Sequence, residues 1–393
     1  MTPAGRAQAA IELLDEIIAG ARTGGAAADT LIARYFKTRR YAGSKDRRAV
    51  RELVYRAIRA FGDPPPSGRA ALLGLAGEDP SLIAAFSGPP HGPEPRRAGE
   101  AVASAALLPA WLPSELDQLV GEEELPALLE RAPLDVRVNR LRGTVEQALT
   151  LLPEGARTPH ATFGLRLPDG HAVEDSPAWR EGLVEIQDEG SQLLAAACAA
   201  ARDELVIDLC AGAGGKTLAL AADMANGGRI LASDTDRGRL TRMRPRLERA
   251  GVTIVEPRLL DPQREAAALE DLAGQADLVL IDAPCSGSGT WRRNPETRWR
   301  LTPRRLDQLL ALQARLLDVA APLVKPGGRL VYAVCSLLAR EGRDQAEAFT
   351  ARSGLLPQPV GLTAGRKAGT GRLLTPAADG TDGFFVACWS RLC

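Results

Sequence analysis

Two cysteines of this chain follow runs that read as buried strands: Cys285 in ADLVLIDAPCSGSG and Cys335 in GRLVYAVCS. A thiolate is a strong nucleophile, and in an open α/β sheet the strand ends are where ligands sit, so two thiols at neighbouring ends can face one pocket. A lone cysteine is more often a small buried hydrophobe. That is the assignment for Cys198 and Cys388, which lack such placement.

Upstream, VIDLCAGAGGKTLALAA begins at Val206 and combines a strand, the glycines Gly212, Gly214 and Gly215, and a helix. Glycines let the backbone approach a ligand, and the helix N-terminus faces it with positive charge, which suits a nucleotide-like cofactor. The Gly-Lys-Thr ending resembles an ATPase phosphate loop, but Cys210 stands where that loop needs its first glycine. A strict dinucleotide turn needs Gly or Ala where Thr217 stands. Asp234, ending the next strand ILASD, is placed to accept both ribose hydroxyls, or else to cap the helix starting near Arg237. Asp261 in RLLDP can accept from an adenine amino group, although Asp-Pro is also ordinary turn chemistry.

One chemistry uses a nucleoside turn, an aspartate and thiols together: methylation of a pyrimidine carbon. Carbon 5 of cytosine is a poor nucleophile until a thiolate adds at carbon 6, which divides one difficult step into easier ones. A carboxyl group beside ring nitrogen 3 stabilises the adduct by sharing a proton, and Asp282, close to Cys285, is the candidate; burial is expected to keep it protonated.

These residues need a frame. The runs ELVIDLC, GRILASD, VTIVE, ADLVLIDAP, GRLVYAVC and GFFVACWS alternate with helical segments, which points to a mainly parallel sheet covered on both faces. Before them, VRVN in APLDVRVNRLRGT has strand alternation, and the first part of the chain is helical. Ile11, Leu14, Ile17 and Ile18 share one face of a helix over residues 6–20, with Gly20 expected as its C-terminal cap. From Asp46, Val50, Leu53, Val54, Ala57, Ile58 and Phe61 again make an apolar stripe. Between Arg34 and Arg59 ten basic residues face only Asp46 and Glu52, with Tyr35, Phe36 and Tyr41 interleaved. That suits RNA phosphates and stacked bases, or simply a solvated helix face. The 393 residues allow two or three domains, and 45% apolar with 25% charged residues is globular. Lys+Arg and Asp+Glu both number 49, so net charge favours no partner. The six cysteines lack the close spacing of a zinc site, and no metal is expected. Without a membrane-length apolar run or a signal-like start, a cytoplasmic location without membrane attachment is expected.

The segments DLCAGAGGKT, ASDTD, DAPCSGSGTWRRNPETRW, KPGGRLVYAVCS and DGFFVACWS, with VRVNRL and EIQDEGSQLLA upstream, resemble the RNA 5-methylcytosine methyltransferases that use S-adenosylmethionine. The likeness is greatest to their bacterial ribosomal-RNA branch, which carries an N-terminal NusB-type RNA-binding domain. The resemblance implies a class I, Rossmann-like α/β methyltransferase over residues 183–393, preceded by an all-α NusB-like domain over 1–130 and a small α+β segment over 131–182. It implies Cys335 as the nucleophile, Cys285 as the residue that helps release the product, and Asp282 at the base. The DNA cytosine-5 enzymes place their nucleophile in a Pro-Cys instead; likeness to the RNA family decides the order. Carried over likewise, Cys210, Ala211, Gly212, Ala213, Gly214, Gly215 and Lys216 surround S-adenosylmethionine with Asp234, Asp261 and Asp282. RNA, ribosomal RNA foremost, is the implied partner of a monomer. Two departures stand out: Gly212-Ala213 replaces the family's Ala-Pro, and Gly342 replaces the Asn after Glu341, which puts the order of that loop in question. A P-loop ATPase and a non-catalytic RNA-binding protein are the competing readings.

Overall fold

The structure is a computed structural model that describes every residue except Glu78 and Asp117. The chain forms two compact units, one made of Met1–Glu130 with Thr290–Arg305, the other of Arg131–Gly289 with Leu306–Cys393.

The first unit is helical. Its opening helix, Pro3–Thr23, starts where Thr2 Oγ1 accepts the Gly5 N–H at 3.1 Å. The stop falls at Gly24, left-handed at φ 75°, and not at Gly20. Gly20 has a different use: the returning chain lies so close that a Cβ on Gly25 would stand 2.9 Å from Gly20 Cα. The basic stretch forms helices Ala28–Thr38 and Ser44–Ala60. Tyr35 and Phe36 point into the core at 6% and 5% exposure, so the expected row of three stacking aromatics reduces to Tyr41, 73% exposed. Arg34, Arg39, Arg51 and Arg56 pair with Glu16, Glu12, Asp29 and Asp79. Lys37, Arg40, Lys45 and Arg48 remain exposed.

NPETRW belongs to this helical unit, although it follows the Cys285 segment in sequence. Arg298, fully buried, donates to the carbonyls of Ile58 at 2.7 Å, Arg59 at 3.3 Å and Leu107. Trp299 Nε1 donates to the Phe61 carbonyl at 2.7 Å, and Glu296 accepts the Ala28 N–H at 3.1 Å.

The second unit contains two sheets. The smaller is antiparallel, ordered β2-β3-β1-β4, from β1 (Leu134–Val138), β2 (Ala156–Arg157), β3 (Gly164–Leu167) and β4 (Val184–Ile186). The larger holds β5 (Leu205–Asp208), β6 (Arg229–Asp234), β7 (Val255–Leu259), β8 (Ala276–Asp282), β9 (Val324–Val334), β10 (Leu356–Gln358), β11 (Arg366–Ala368), β12 (Gly371–Leu374) and β13 (Phe384–Ser390). Its order is β11-β12-β13-β9-β8-β5-β6-β7, with β10 also paired to β13. Strands β5 to β9 are parallel, while β10 to β13 are antiparallel additions of which only β13 is legible as a strand in sequence. The strand expected at VTIVE begins only at Val255, because the Val252 N–H returns to the Leu247 carbonyl and closes the preceding helix. Because β6 and β8 flank β5 on opposite sides, the carboxyl ends of β5 and β8 border a topological switch point, the usual ligand crevice of such sheets. No helix of the described residues is long and apolar enough to cross a membrane.

Replacing Arg298 with Ala leaves buried carbonyls without donors, a loss of roughly 2–4 kcal/mol to the helical unit. Hydrogen exchange should show it as lost protection around Ile58 and Phe61, with β5 to β9 unchanged.

Candidate active site

At the switch point the chain leaves β5 after Asp208, turns through Gly212 and Gly214, and enters the helix Gly215–Asp223. Both turn glycines have positive φ, 57° and 85°, and a Cβ on Gly214 would lie 2.7 Å from Met243 Cγ. A Cβ on Gly212 or Gly215 would meet nothing within 4 Å, so the turn offers open backbone to a ligand. Asp234 Oδ2 accepts the Gly212 N–H at 2.9 Å and Oδ1 accepts the Asp236 N–H at 2.7 Å. Each oxygen keeps a further lone pair for a diol. The cap of the following helix is Asp236, which takes the Arg239 N–H at 3.0 Å, so Asp234 is not its N-cap. Asp261 is exposed beyond β7, next to Leu260, whose N–H reaches the Asp234 carbonyl at 3.0 Å. Beneath the turn, Thr217 Oγ1 donates to Asp208 Oδ2 at 2.7 Å. Burial pushes the Asp208 carboxyl up to about 7, against the lowering effect of Thr217.

Lys216 is nearly buried, and its Nζ lies 2.7 Å from Asp282 Oδ2 at the end of β8. Burial disfavours its charge, but Asp282, with help from Cys335, more than offsets this and holds the ammonium above its ordinary value. A lysine committed to a carboxylate in this way is not set up as the phosphate ligand of a P-loop. Asp282 accordingly accepts a hydrogen bond from Lys216, a partner that the sequence did not assign to it.

Because β8 and β9 are adjacent and parallel, with Asp282 opposite Ala333, the segments after them run side by side. The two thiols meet there: Cys285 Sγ lies 3.3 Å from Cys335 Sγ. The hydrogen bond to Cys335, and then burial, push the Cys285 thiol well above its ordinary range, so Cys285 keeps its proton. Close packing and the nearby carboxylates of Asp208, Asp234 and Asp282 push up the Cys210 thiol too, which makes it a poor nucleophile. Cys198 and Cys388 are buried in the core of this unit.

Below the thiols is a polar cluster whose roles the sequence does not announce. Glu341, fully buried, takes the Ser286 N–H at 2.8 Å and Gln313 Nε2 at 2.9 Å on Oε1, and the hydroxyls of Ser286 and Ser336, the latter at 2.6 Å, on Oε2. Ser288 Oγ accepts the Leu337 N–H at 2.9 Å and lies 3.0 Å from Ser336 Oγ. Gly342 fits tightly: a Cβ there would lie 2.7 Å from Phe385 Cγ. The loop is held by Glu341 and the serines, and there is no room at position 342 for the amide of an Asn. The Ser-Gly-Ser and Cys-Ser segments and the Glu341-Gly342 pair were visible signals, but nothing in sequence joined the serines to Glu341 by hydrogen bonds or brought in Gln313.

The raised carboxyl of Asp208 gives a pH dependence of defined sign. Between about 4, near its ordinary value of 3.8, and about 7, the folded protein holds a proton that the unfolded chain has released. This contribution to stability therefore falls as pH rises through that window and is flat above it. Asp208→Asn should remove it, so urea midpoints of the variant should gain on the unmodified protein as pH goes from 4 to 7.

Residues 195–390 match the family described as 16S rRNA methyltransferase RsmB/F. The ribosomal RNA small subunit methyltransferase B of Salmonella newport (strain SL254) is 34% identical over 290 residues, covering 72% of this chain and 66% of that protein. Thus the chain matches about two thirds of the length of such relatives. The crystal structure of PH0851 superposes with a TM-score of 0.77 at 25% identity, covering 100% of this chain and 99% of that one. A methyltransferase homolog protein from Pyrococcus horikoshii gives 0.63 at 29% identity, over 71% and 94%. With the glycine turn, the strand-end aspartates and the sheet order of a Rossmann-like methyltransferase already in place, the chain belongs to the RsmB/F family of S-adenosylmethionine-dependent methyltransferases.

Proposed function

We propose that the protein methylates carbon 5 of a cytosine in RNA, with ribosomal RNA as substrate class, through a covalent adduct between Cys335 and carbon 6. The observation that carries this reading is the 3.3 Å pair of thiols brought together by the adjacent parallel strands β8 and β9. The cofactor residues fit their ligand: open backbone at Gly212 and Gly215, spare lone pairs on Asp234, and carboxylates suited to a cationic nucleoside. When bound, S-adenosylmethionine supplies an electrophilic methyl group.

Cys335 Sγ, its proton released to solvent, adds to carbon 6, and the electron pair moves towards carbon 5 and the ring nitrogen. Lys216 and Asp282, sharing a proton at 2.7 Å, stabilise the negative charge that develops at nitrogen 3. Once carbon 5 carries its methyl group, its proton passes to solvent, and the electron pair of that bond restores the carbon 5–carbon 6 double bond as the carbon 6–sulfur bond breaks. The leaving Cys335 thiolate takes the proton of the Cys285 S–H, which solvent then replaces. The assignment of Cys335 as nucleophile and Cys285 as release residue is carried over from the family resemblance, and the raised Cys285 thiol supports it. The target cytosine must leave its stack to reach both thiols, so unpaired or readily opened RNA is required. The helical unit, a NusB-like RNA-binding domain in this reading, offers Lys37, Arg40, Lys45 and Arg48 to phosphates and Tyr41 to a base.

Cys335→Ala should abolish methyl transfer in a labelled-cofactor assay; retained activity would remove Cys335 from the nucleophile's role. Cys285→Ala should still attack but release slowly, leaving a protein–RNA adduct that migrates as a retarded denaturing-gel band. Bisulfite sequencing of total RNA with and without the gene should lose protection at the target cytosine. An unchanged map would contradict the proposed activity.

A further inference from the structure

The polar cluster under the thiols has a geometry that the reaction alone does not explain. Its donors come from three separate parts of the chain. Ser286 follows Cys285, Ser336 follows Cys335, and Gln313 lies on the helix Pro303–Ala320. All converge on one carboxylate, that of Glu341, which is fully buried. Gln313 Nε2 also reaches the Pro284 carbonyl at 2.9 Å, immediately before Cys285. Tyr332 Oη, on β9, donates to the main-chain carbonyl of Glu341 at 2.7 Å and fixes where that residue stands. A further bond ties the same two loops, from the Gly289 N–H to the Cys335 carbonyl at 3.1 Å.

We infer that Glu341 is a positioning residue that sets the separation of the two thiols, holding the Cys285 and Cys335 loops in register through Ser286, Ser336 and Gln313. It touches neither sulfur by hydrogen bond and has no exposure through which to meet substrate. Its influence passes through its neighbours: each cysteine precedes a serine whose hydroxyl the carboxylate accepts. Length matters more than charge in such a clamp. Oε1 takes N–H donors and Oε2 takes hydroxyls. A glutamine can therefore keep its oxygen on the N–H side and turn its NH2 to hydroxyls able to rotate and accept. An aspartate keeps the charge but falls one methylene short of bridging both loops.

The catalytic use of this separation rests on the covalent mechanism proposed above, but the separation itself can be measured without catalysis. A monosubstituted trivalent arsenical condenses with two thiols close together, forming two As–S bonds and releasing water, and holds a single thiol far more weakly. Cys285→Ala and Cys335→Ala, each losing the bidentate site, give the single-thiol baseline. Glu341→Gln should chelate the arsenical within about threefold of the unmodified protein, whereas Glu341→Asp and Glu341→Ala should fall at least tenfold towards that baseline. Methylation should follow the same order, with kcat down roughly a hundredfold for Asp and Ala at unchanged cofactor KM. Should Glu341→Ala prove unfolded by thermal melting, Ser336→Ala with Ser286→Ala removes the same ties and should show the same arsenical loss. Wild-type chelation by Glu341→Asp, or by the serine double variant, would overturn the inference, as would a Gln variant weaker than Asp. Normal methylation by Cys335→Ala would instead defeat the covalent mechanism and leave the arsenical results standing.

Discussion

A carboxylate that solvent cannot reach must be satisfied by the protein alone, and the arrangement of the site follows from how Glu341 meets that requirement. Burying a charge without partners costs far more than a single hydrogen bond returns. Four donors from three regions answer it, and in doing so they bring together two loops that the parallel pairing of β8 and β9 has already set side by side. Sheet topology provides coarse placement of the thiols, and the buried carboxylate refines it.

The carboxylates at the switch point show the same economy under different conditions. Asp208 is buried against Thr217 and, pushed up to about 7, is only about half ionised near pH 7. Asp282 is answered by a lysine, and Asp234 by two main-chain N–H groups. Three acidic side chains can share one small region because each is handled separately. A crevice rich in acceptors results, which favours a positively charged nucleoside over a phosphate and agrees with the family's methyl donor.

Much of this was legible in the sequence because the informative residues are local. The glycine turn, the aspartates closing β6 and β8, and the cysteines after β8 and β9 each sit within a few residues of an apolar strand. The periodicity of those strands is strong. Short edge strands such as β10 and β11 carry too few residues for a pattern to form. At the first helix, Gly20 was expected to end the helix, and the stop at Gly24 goes with a returning chain that periodicity does not register. Tyr35 and Phe36 likewise looked available to a ligand because the direction of a helix face is set by its neighbours. The Glu341 cluster was illegible for a plainer reason: its members are dispersed from Ser286 to Glu341 and become a unit only when β8 and β9 pair.

Arg298 and Trp299, within Thr290–Arg305, complete a helical unit whose main part, Met1–Glu130, is made long before them. On a ribosome, which releases the chain from its N-terminus, the first unit therefore waits with open carbonyls at Ile58, Arg59 and Phe61 until β5 to β8 have been synthesised. A gene fragment ending at Glu130 would never supply the missing piece. Each unit is compact by itself, yet the two are inseparable as inheritable segments, because no single cut in the chain yields a whole helical unit.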